Sequence, residues 1–265
     1  MNKILLAAGC SYTDRNYLSL DTTAKERGGW KMWPEIVADS LNLRCMNVGV
    51  SGSNNDFIFN SIMDSIAEYG KEIDTIVVLW TTADRLPFFY HTLLPLAEMY
   101  IQNLDNRSND LQSWMDNRPG GSIVDEFFRS KSFDLDKMMK HWMSGTLRKM
   151  LQLVQICDYM GYKLVMAQGP AYFSEKPFND ASPPKQITKN MKIDNFILSP
   201  YFNHLEKHRN KIIGWPFFPE LGGWDLDLFR SKYQNTTVSE KDFHPNRYGQ
   251  EIFADLFLNK IKKLK

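Results

Sequence analysis

Cysteine is scarce in this 265-residue chain, which contains only Cys10, Cys45 and Cys157. The number is odd and no CxxC spacing occurs, which argues against a disulfide framework, a zinc site and a redox pair. A reducing compartment is the simplest inference from this usage, although a secreted protein poor in cysteine would look the same. We therefore expect neither a metal nor a disulfide to hold the fold together.

Long apolar runs and an excess of one charge are also missing. No stretch approaches the roughly 18 apolar residues of a membrane-spanning helix, so we expect no membrane span. The 32 Lys and Arg residues balance 31 Asp and Glu residues, giving a formal net charge of +1. Because the two signs are interspersed, the sequence predicts no nucleic-acid partner and no membrane-binding basic surface. The oligomeric state is left open.

The first residues allow two hypotheses. Lys3, an apolar run and the sequence Ala-Gly-Cys ending at Cys10 are typical of a bacterial lipoprotein signal. Such a signal needs roughly 7–15 apolar residues after its charge, and here only Ile4 to Ala8 lie between Lys3 and Gly9. We therefore expect these residues to form a buried strand, and a cytoplasmic location in place of a secreted or lipidated form.

Strand and helix patterns alternate along the chain. The predicted strands cover residues 4–8, 44–48, 74–80 and 162–170. The predicted helices cover residues 33–43, 54–69, 134–161 and 246–264, the second opened by an Asn cap and the third closed by Gly161. This alternation predicts an α/β protein with a central parallel sheet between two layers of helices.

Two regions depart from the alternation. Residues of about 86–147 carry helical patterns around a polar, irregular middle, and we interpret them as an inserted helical segment. Residues of about 171–241 are rich in Pro, Gly, Asn and aromatic residues, and long loops of this kind are usually functional or mobile. We expect both to belong to one domain spanning residues 1–265.

Polar residues follow the predicted strands and precede the last helix. The loop "GCSYTD" follows the first strand, and "DFHPNRYG" stands before the final helix. Together they supply Ser11, His244 and Asp242, the residue types needed for nucleophilic acyl transfer. In such a set the imidazole takes the serine proton, and the carboxylate orients the imidazole.

Four blocks of this sequence resemble those of the SGNH (GDSL-like) hydrolase superfamily. They are Gly9–Thr13, Asn47–Ser53, Trp80–Asp84 and Asp242–Asn246. The resemblance covers roughly residues 1–85 and 150–265. It implies a flavodoxin-like three-layer α/β/α fold, a serine nucleophile at Ser11 and the triad partners His244 and Asp242. It also implies that the backbone N–H groups of Ser11 and Gly52 form part of an oxyanion hole.

The sequence departs from the family pattern in three places. Cys10 stands where the family usually has Asp, and as a neighbour of Ser11 it is a poor rival nucleophile because its side chain would point elsewhere. The last block is Asp-x-His and not the commoner Asp-x-x-His. Thr82 falls where the oxyanion-hole Asn is expected, so either Thr82, Asn54 or Asn55 supplies that donor or turnover is slow.

These expectations combine into a serine esterase that needs no metal or organic cofactor. The expected substrate is a small-molecule or carbohydrate ester, with an O-acyl or O-acetyl group on a carbohydrate as the first hypothesis. Three alternatives stay open on the same fold: an acyltransferase, a lipase or thioesterase, and an inactive binding or structural protein.

Overall fold

A computed structural model describes residues 3–83, 85, 135–172 and 189–264. The predicted insertion at 86–147 therefore lies outside the described residues up to position 134. The predicted loop region at 171–241 lies outside them between positions 173 and 188. None of the helices in the described part of the chain is long and apolar enough to cross a membrane.

Five parallel strands form the central sheet in the order β2-β1-β3-β4-β5. They are β1 (Ile4–Ala8), β2 (Arg44–Asn47), β3 (Ile73–Trp80), β4 (Lys163–Gln168) and β5 (Ile212–Ile213). Every side chain of β1 is buried, as its uninterrupted apolar run predicted. The chain continues from β1 to β2 on one side and later to β3 on the other. Such a reversal of strand order opens a crevice at the carboxyl ends of the strands.

Helices cover both faces of the sheet. They are α1 (Trp33–Leu41), α2 (Asn55–Tyr69), α3 (Leu135–Met160), α4 (Lys189–Ile197), α5 (Phe202–Glu206), α6 (Leu226–Arg230) and α7 (Arg247–Ile261). On one face α2 and α3 pack on side chains such as Leu6 of β1. On the other face α1 and α7 pack on side chains such as Leu5, with Trp33 and Phe257 stacked at 4.1 Å between ring centroids. The predicted three-layer α/β/α fold is confirmed.

Local capping sets the ends of the helices that flank the crevice. The side chain of Asn54 accepts a hydrogen bond from the Phe57 N–H at 2.8 Å, and that of Asn246 accepts one from the Gly249 N–H at 3.0 Å. Gly161 follows α3 with a positive φ of 76°, a conformation that favours glycine. These residues are the ones at which the sequence predicted the helices to start and stop.

The stretch after β4 contains more regular structure than the sequence predicted. Its described part includes β5 and the helices α4, α5 and α6, whereas the sequence predicted four strands and a long loop. Its aromatic side chains pack on one another, and Trp215, Phe217 and Phe218 are each at most 9% exposed. These three residues therefore form part of the core and do not form an exposed aromatic surface.

Candidate active site

Ser11 lies in a tight turn directly after β1. The Cys10 carbonyl accepts hydrogen bonds from the N–H groups of Thr13 and Asp14, at 2.8 and 3.0 Å, which starts a helical turn at the serine. A Cβ atom on Gly9 would lie 2.2 Å from the Thr13 Oγ1 atom, so this turn needs a glycine. Ser11 is consequently held at the carboxyl edge of the sheet, where it is 8% exposed.

His244 lies in a loop that is tied to the start of α7. The His244 carbonyl accepts a hydrogen bond from the Val238 N–H at 2.9 Å. Nearby, the Asn246 side-chain amide donates to the carbonyls of Asn235 and Thr237, both at 2.9 Å. These backbone contacts fix the loop around the histidine without using its side chain.

The two loops bring Ser11, His244 and Asp242 into one hydrogen-bonded chain. The distance from the Ser11 Oγ atom to the His244 Nε2 atom is 2.7 Å, and from the His244 Nδ1 atom to the Asp242 Oδ1 atom it is 2.6 Å. The same Oδ1 atom accepts a bond from the His244 backbone N–H at 3.0 Å. The imidazole therefore lies between an alcohol and a carboxylate, the arrangement in which it can take a proton from the serine.

The other carboxylate oxygen of Asp242 is also occupied. The hydroxyl groups of Tyr17 and Ser19 both donate to its Oδ2 atom. Burial alone raises the pKa of the Asp242 carboxyl, but hydrogen bonds from His244, Ser19 and Tyr17 outweigh burial and hold that pKa below its ordinary value. The carboxylate is thus ionised at neutral pH and available to stabilise a protonated imidazole.

Two tyrosine rings enclose the imidazole of His244. The Tyr17 ring stacks on it with a centroid distance of 4.4 Å, and the Tyr12 ring meets it edge-on at 5.1 Å. The Tyr12 hydroxyl donates to both carboxylate oxygens of Asp227 at 3.1 Å, and Asp227 is paired with Arg230 at 2.8 Å. The sequence did not predict these contacts. The one local signal for them is that Tyr12 stands next to Ser11.

The loop after β2 contains two of the predicted oxyanion-hole residues. Gly52 is exposed and has a positive φ of 81°. The neighbouring Ser51 donates through its backbone N–H and its hydroxyl to the Asp14 carboxylate, at 2.8 and 2.6 Å, which ties this loop to the Ser11 turn. Asn54 is 4% exposed and uses its carbonyl oxygen to cap α2, while its Nδ2 atom donates to no described residue.

Asn55 and Thr82 are placed differently from one another. The Asn55 amide accepts from the Thr81 N–H at 2.9 Å and donates to the Thr81 carbonyl at 3.0 Å and the Thr146 hydroxyl at 3.1 Å. Both ends of this amide thus hold the end of β3 against α2 and α3. Thr82 is half-buried, and its hydroxyl forms no hydrogen bond with a described residue. Of the predicted side-chain donors, Asn54 and Thr82 are therefore the two with a group that bonds to no described residue.

The described residues contain no group of three or more His, Cys, Asp or Glu side chains that could hold a metal ion. In the described part of the chain, the Ser11 turn, the His244 loop and the loop after β2 form the site.

Neither a protein-family model nor a curated protein matches this sequence. Among solved structures, the chain is similar to the psychrotrophic esterase EstA of Pseudoalteromonas sp., with 11% identity, a TM-score of 0.48 and coverage of 99% of this chain and 98% of that one. It is similar to the acetylxylan esterase Axe2 of Geobacillus stearothermophilus, with 13% identity, a TM-score of 0.43 and coverage of 99% and 95%. It is also similar to a protein of Desulfitobacterium hafniense proposed to be a lipolytic member of the G-D-S-L family, with 7% identity, a TM-score of 0.47 and coverage of 98% and 99%.

Proposed function

We propose that this protein is a serine esterase of the SGNH type that hydrolyses its substrate through an acyl-enzyme on Ser11. One observation carries the proposal: Ser11, His244 and Asp242 form a continuous hydrogen-bonded chain with donor–acceptor distances of 2.7 and 2.6 Å. The three residues come from two distant parts of the sequence and meet at the carboxyl edge of the sheet, where ligands of open α/β folds bind.

Acylation starts with proton transfer from the Ser11 Oγ atom to the His244 Nε2 atom. The Oγ atom attacks the ester carbonyl carbon and forms a tetrahedral intermediate, while the Asp242 carboxylate stabilises the protonated imidazole. When the intermediate collapses, the bond to the alcohol breaks, and the departing alkoxide takes the proton from His244. The products of this step are a free alcohol and an acyl-enzyme.

Deacylation repeats the same steps with water as the nucleophile. His244 removes a proton from the water molecule, whose oxygen attacks the acyl carbon and again forms a tetrahedral intermediate. Collapse breaks the bond to Ser11, whose oxygen recovers a proton from His244. The acid leaves, and the enzyme returns to its starting state without a metal or an organic cofactor taking part.

The negative oxygen of both intermediates needs hydrogen-bond donors. We assign the backbone N–H groups of Ser11 and Gly52 to this role, together with the Asn54 amide, whose Nδ2 atom donates to no described residue. Thr82 is the alternative third donor, because its hydroxyl is also free of hydrogen bonds to described residues. The amide is the stronger candidate since its orientation is already fixed by the cap of α2 at 2.8 Å.

Two substitutions by uncharged residues show whether Asn54 or Thr82 supplies the third donor. Asn54→Ser removes the amide and keeps an oxygen that can cap α2, and Thr82→Val removes the hydroxyl and keeps the side-chain shape. We expect Asn54→Ser to lower kcat about 100–1000-fold with little change in KM, because the bond forms chiefly in the transition state. Thr82→Val should stay near wild type. The reverse pattern would assign the donor to Thr82, and wild-type kcat in both variants would contradict this placement of the oxyanion hole.

For the substrate, we propose an ester of a small acyl group, first of all on a carbohydrate, with lipid esters and thioesters as the second class. The test is a hydrolysis panel of acetylated sugars, nitrophenyl esters of increasing chain length and an acyl thioester, with Ser11→Ala as the control. Adding a competing alcohol to the same reactions separates hydrolysis from acyl transfer, since a transferase would form the new ester in place of the free acid. No turnover of any member of the panel by the wild-type protein would contradict the proposed activity.

A further inference from the structure

We infer that Tyr17 and Ser19 are positioning residues that act on His244 through the carboxylate of Asp242. This inference rests on the proposed function, because it assigns to both hydroxyl groups a part in holding the triad. It adds two residues that no block of the resembling family contains.

The contacts divide the carboxylate of Asp242 into two sides. Its Oδ1 atom accepts both bonds from His244, one from the backbone at 3.0 Å and one from the ring at 2.6 Å. Its Oδ2 atom accepts from the hydroxyls of Tyr17 and Ser19. Rotation of the carboxylate would break bonds on both sides at once, so the two hydroxyls keep Oδ1 directed at the imidazole.

Contacts outside the triad hold the segment that carries both hydroxyl groups in place. Ser19 is fully buried, and its backbone N–H donates to the Arg27 carbonyl at 2.7 Å. Two residues further on, the Asp21 carboxylate accepts from the Ser239 hydroxyl at 2.5 Å, and that hydroxyl accepts in turn from the Asp242 N–H at 3.1 Å. The segment 17–21 is therefore attached to the 239–244 loop by bonds that do not involve His244.

Tyr17 contacts the triad through its ring as well as its hydroxyl. The ring stacks on the His244 imidazole at 4.4 Å with an interplanar angle of 28°. The stacked ring limits the movement of the imidazole, while the hydroxyl acts through the carboxylate of Asp242. Tyr17→Phe would keep the stacking and remove only the hydroxyl, which separates the two contributions.

Asp242 and His244 are close together in the sequence, which makes the two hydroxyls important for the position of the carboxylate. Asp242 and His244 are two residues apart in a loop that contains no helix or strand, so regular structure does not restrict the aspartate side chain. Without Tyr17 and Ser19, the Oδ2 atom would have no partner among the described protein groups, and the carboxylate could turn towards solvent.

The first test measures kcat and KM for Tyr17→Phe, Ser19→Ala and the double variant with a nitrophenyl ester. We expect each single change to lower kcat about tenfold, the range expected from losing a hydrogen bond to a charged group, with KM unchanged. Tyr162→Phe and Ser65→Ala are matched controls, since their hydroxyls donate to the carbonyls of Gly70 and Ser61 and belong to no part of the proposed site. Wild-type kcat in the double variant would overturn the inference.

A double-mutant cycle shows whether the hydroxyls act through the carboxylate. In an Asp242→Ala background, adding Tyr17→Phe or Ser19→Ala should change kcat by less than about twofold, because the group on which they act is already gone. If either change still costs its full tenfold there, the residue acts on activity by another route and the inference is wrong.

An NMR measurement keeps the inference separate from the proposed function. In nitrogen-15-labelled protein, the proton on the His244 Nδ1 atom reports its hydrogen bond to Asp242 whether or not any ester is turned over. We expect the double variant of Tyr17 and Ser19 to shift this resonance and speed its exchange with water, and the two control variants to leave it unchanged. An unaltered resonance in the double variant would contradict the inference. An altered resonance in a protein that hydrolyses no ester would support positioning and contradict the esterase proposal.

Discussion

Replacing Asp242 with asparagine would remove the charge of the carboxylate and, as the structure indicates, keep its geometry. The backbone N–H of His244 donates to Oδ1 at 3.0 Å and cannot accept a hydrogen bond, so the oxygen of the new amide must stay on the His244 side. The amide nitrogen then faces the hydroxyls of Tyr17 and Ser19, which can rotate to accept from it. The imidazole should therefore keep the tautomer that accepts the serine proton.

The size of the effect follows from that geometry. A hydrogen bond to a charged group contributes about 1.5–3 kcal/mol and a neutral one about 0.5–1.5 kcal/mol, so losing the charge should cost about 1–2 kcal/mol in the transition state. At about 1.4 kcal/mol for each factor of ten, kcat should fall about 5–30-fold. An amide nitrogen facing the imidazole would instead favour the wrong tautomer, with a loss of about 10⁴-fold.

Steady-state hydrolysis of a short-chain nitrophenyl ester by wild type and Asp242→Asn measures this difference. Asp39→Asn is the matched control, because Asp39 is an exposed carboxylate that pairs with Lys31. An unchanged kcat in Asp242→Asn would mean that Asp242 does not orient the base. A loss near 10⁴-fold would mean that the bond from the His244 N–H does not decide which way the amide faces. Either result would contradict the expected loss of kcat by about 5–30-fold.

Three further predictions concern the base, the end of β3 and a half-buried carboxyl. His244→Ala should lower kcat about 10²–10⁴-fold in the ester assay, because the serine loses its base. The urea unfolding midpoint should stay near wild type, because the imidazole is 31% exposed. Near-normal turnover would contradict the role of His244 as the base. Asn55→Ala should lower the free energy of unfolding by about 1–3 kcal/mol, because the buried Thr81 N–H loses its acceptor; an unchanged urea midpoint would show that Thr81 finds another partner. Burial raises the pKa of Asp225 from 3.8 to about 6. The folded state therefore loses stability as the pH rises through that range and the carboxyl ionises. Asp225→Asn keeps the cap on the Leu228 N–H and should raise Tm at about pH 8 but not at about pH 3; a Tm difference that is independent of pH would be inconsistent with this shift.

The sheet and its covering helices were predictable because their signals are local. The five apolar residues of β1, the Asn caps of α2 and α7 and the glycine after α3 each act within a few positions of the element they define. The fifth strand was missed since Ile212–Ile213 is only two residues long, too short to form a pattern. Pairing with the end of β4, and not its own sequence, makes this segment a strand.

The candidate site was predictable only in part, for a related reason. Ser11, Asp242 and His244 stand at strand ends or before a helix, where polar residues are conspicuous. Tyr17 and Ser19 contact Asp242 across more than 220 positions, and nothing local in the sequence indicates that contact.

The neighbouring Asn54 and Asn55 could not be told apart from the sequence. Asn54 has the extended backbone of an N-cap, whereas Asn55 is the first residue of α2, so their side chains point in different directions. The first caps its own helix, and the second reaches Thr81 at the end of β3. Which of the two amides bonds to the described core depends on how α2 packs against the sheet, and a local pattern does not contain that information.

In the proposed mechanism, His244 and Asp242 activate the Ser11 hydroxyl for covalent attack. Incubation with a fluorophosphonate probe, followed by mass spectrometry of the digested protein, tests it directly, because this reagent forms a stable bond with an activated serine. We expect one adduct on Ser11 in the wild-type protein, none in Ser11→Ala and much slower labelling in His244→Ala. Failure to label the folded wild-type protein, or labelling of Ser11 at an equal rate without His244, would contradict it.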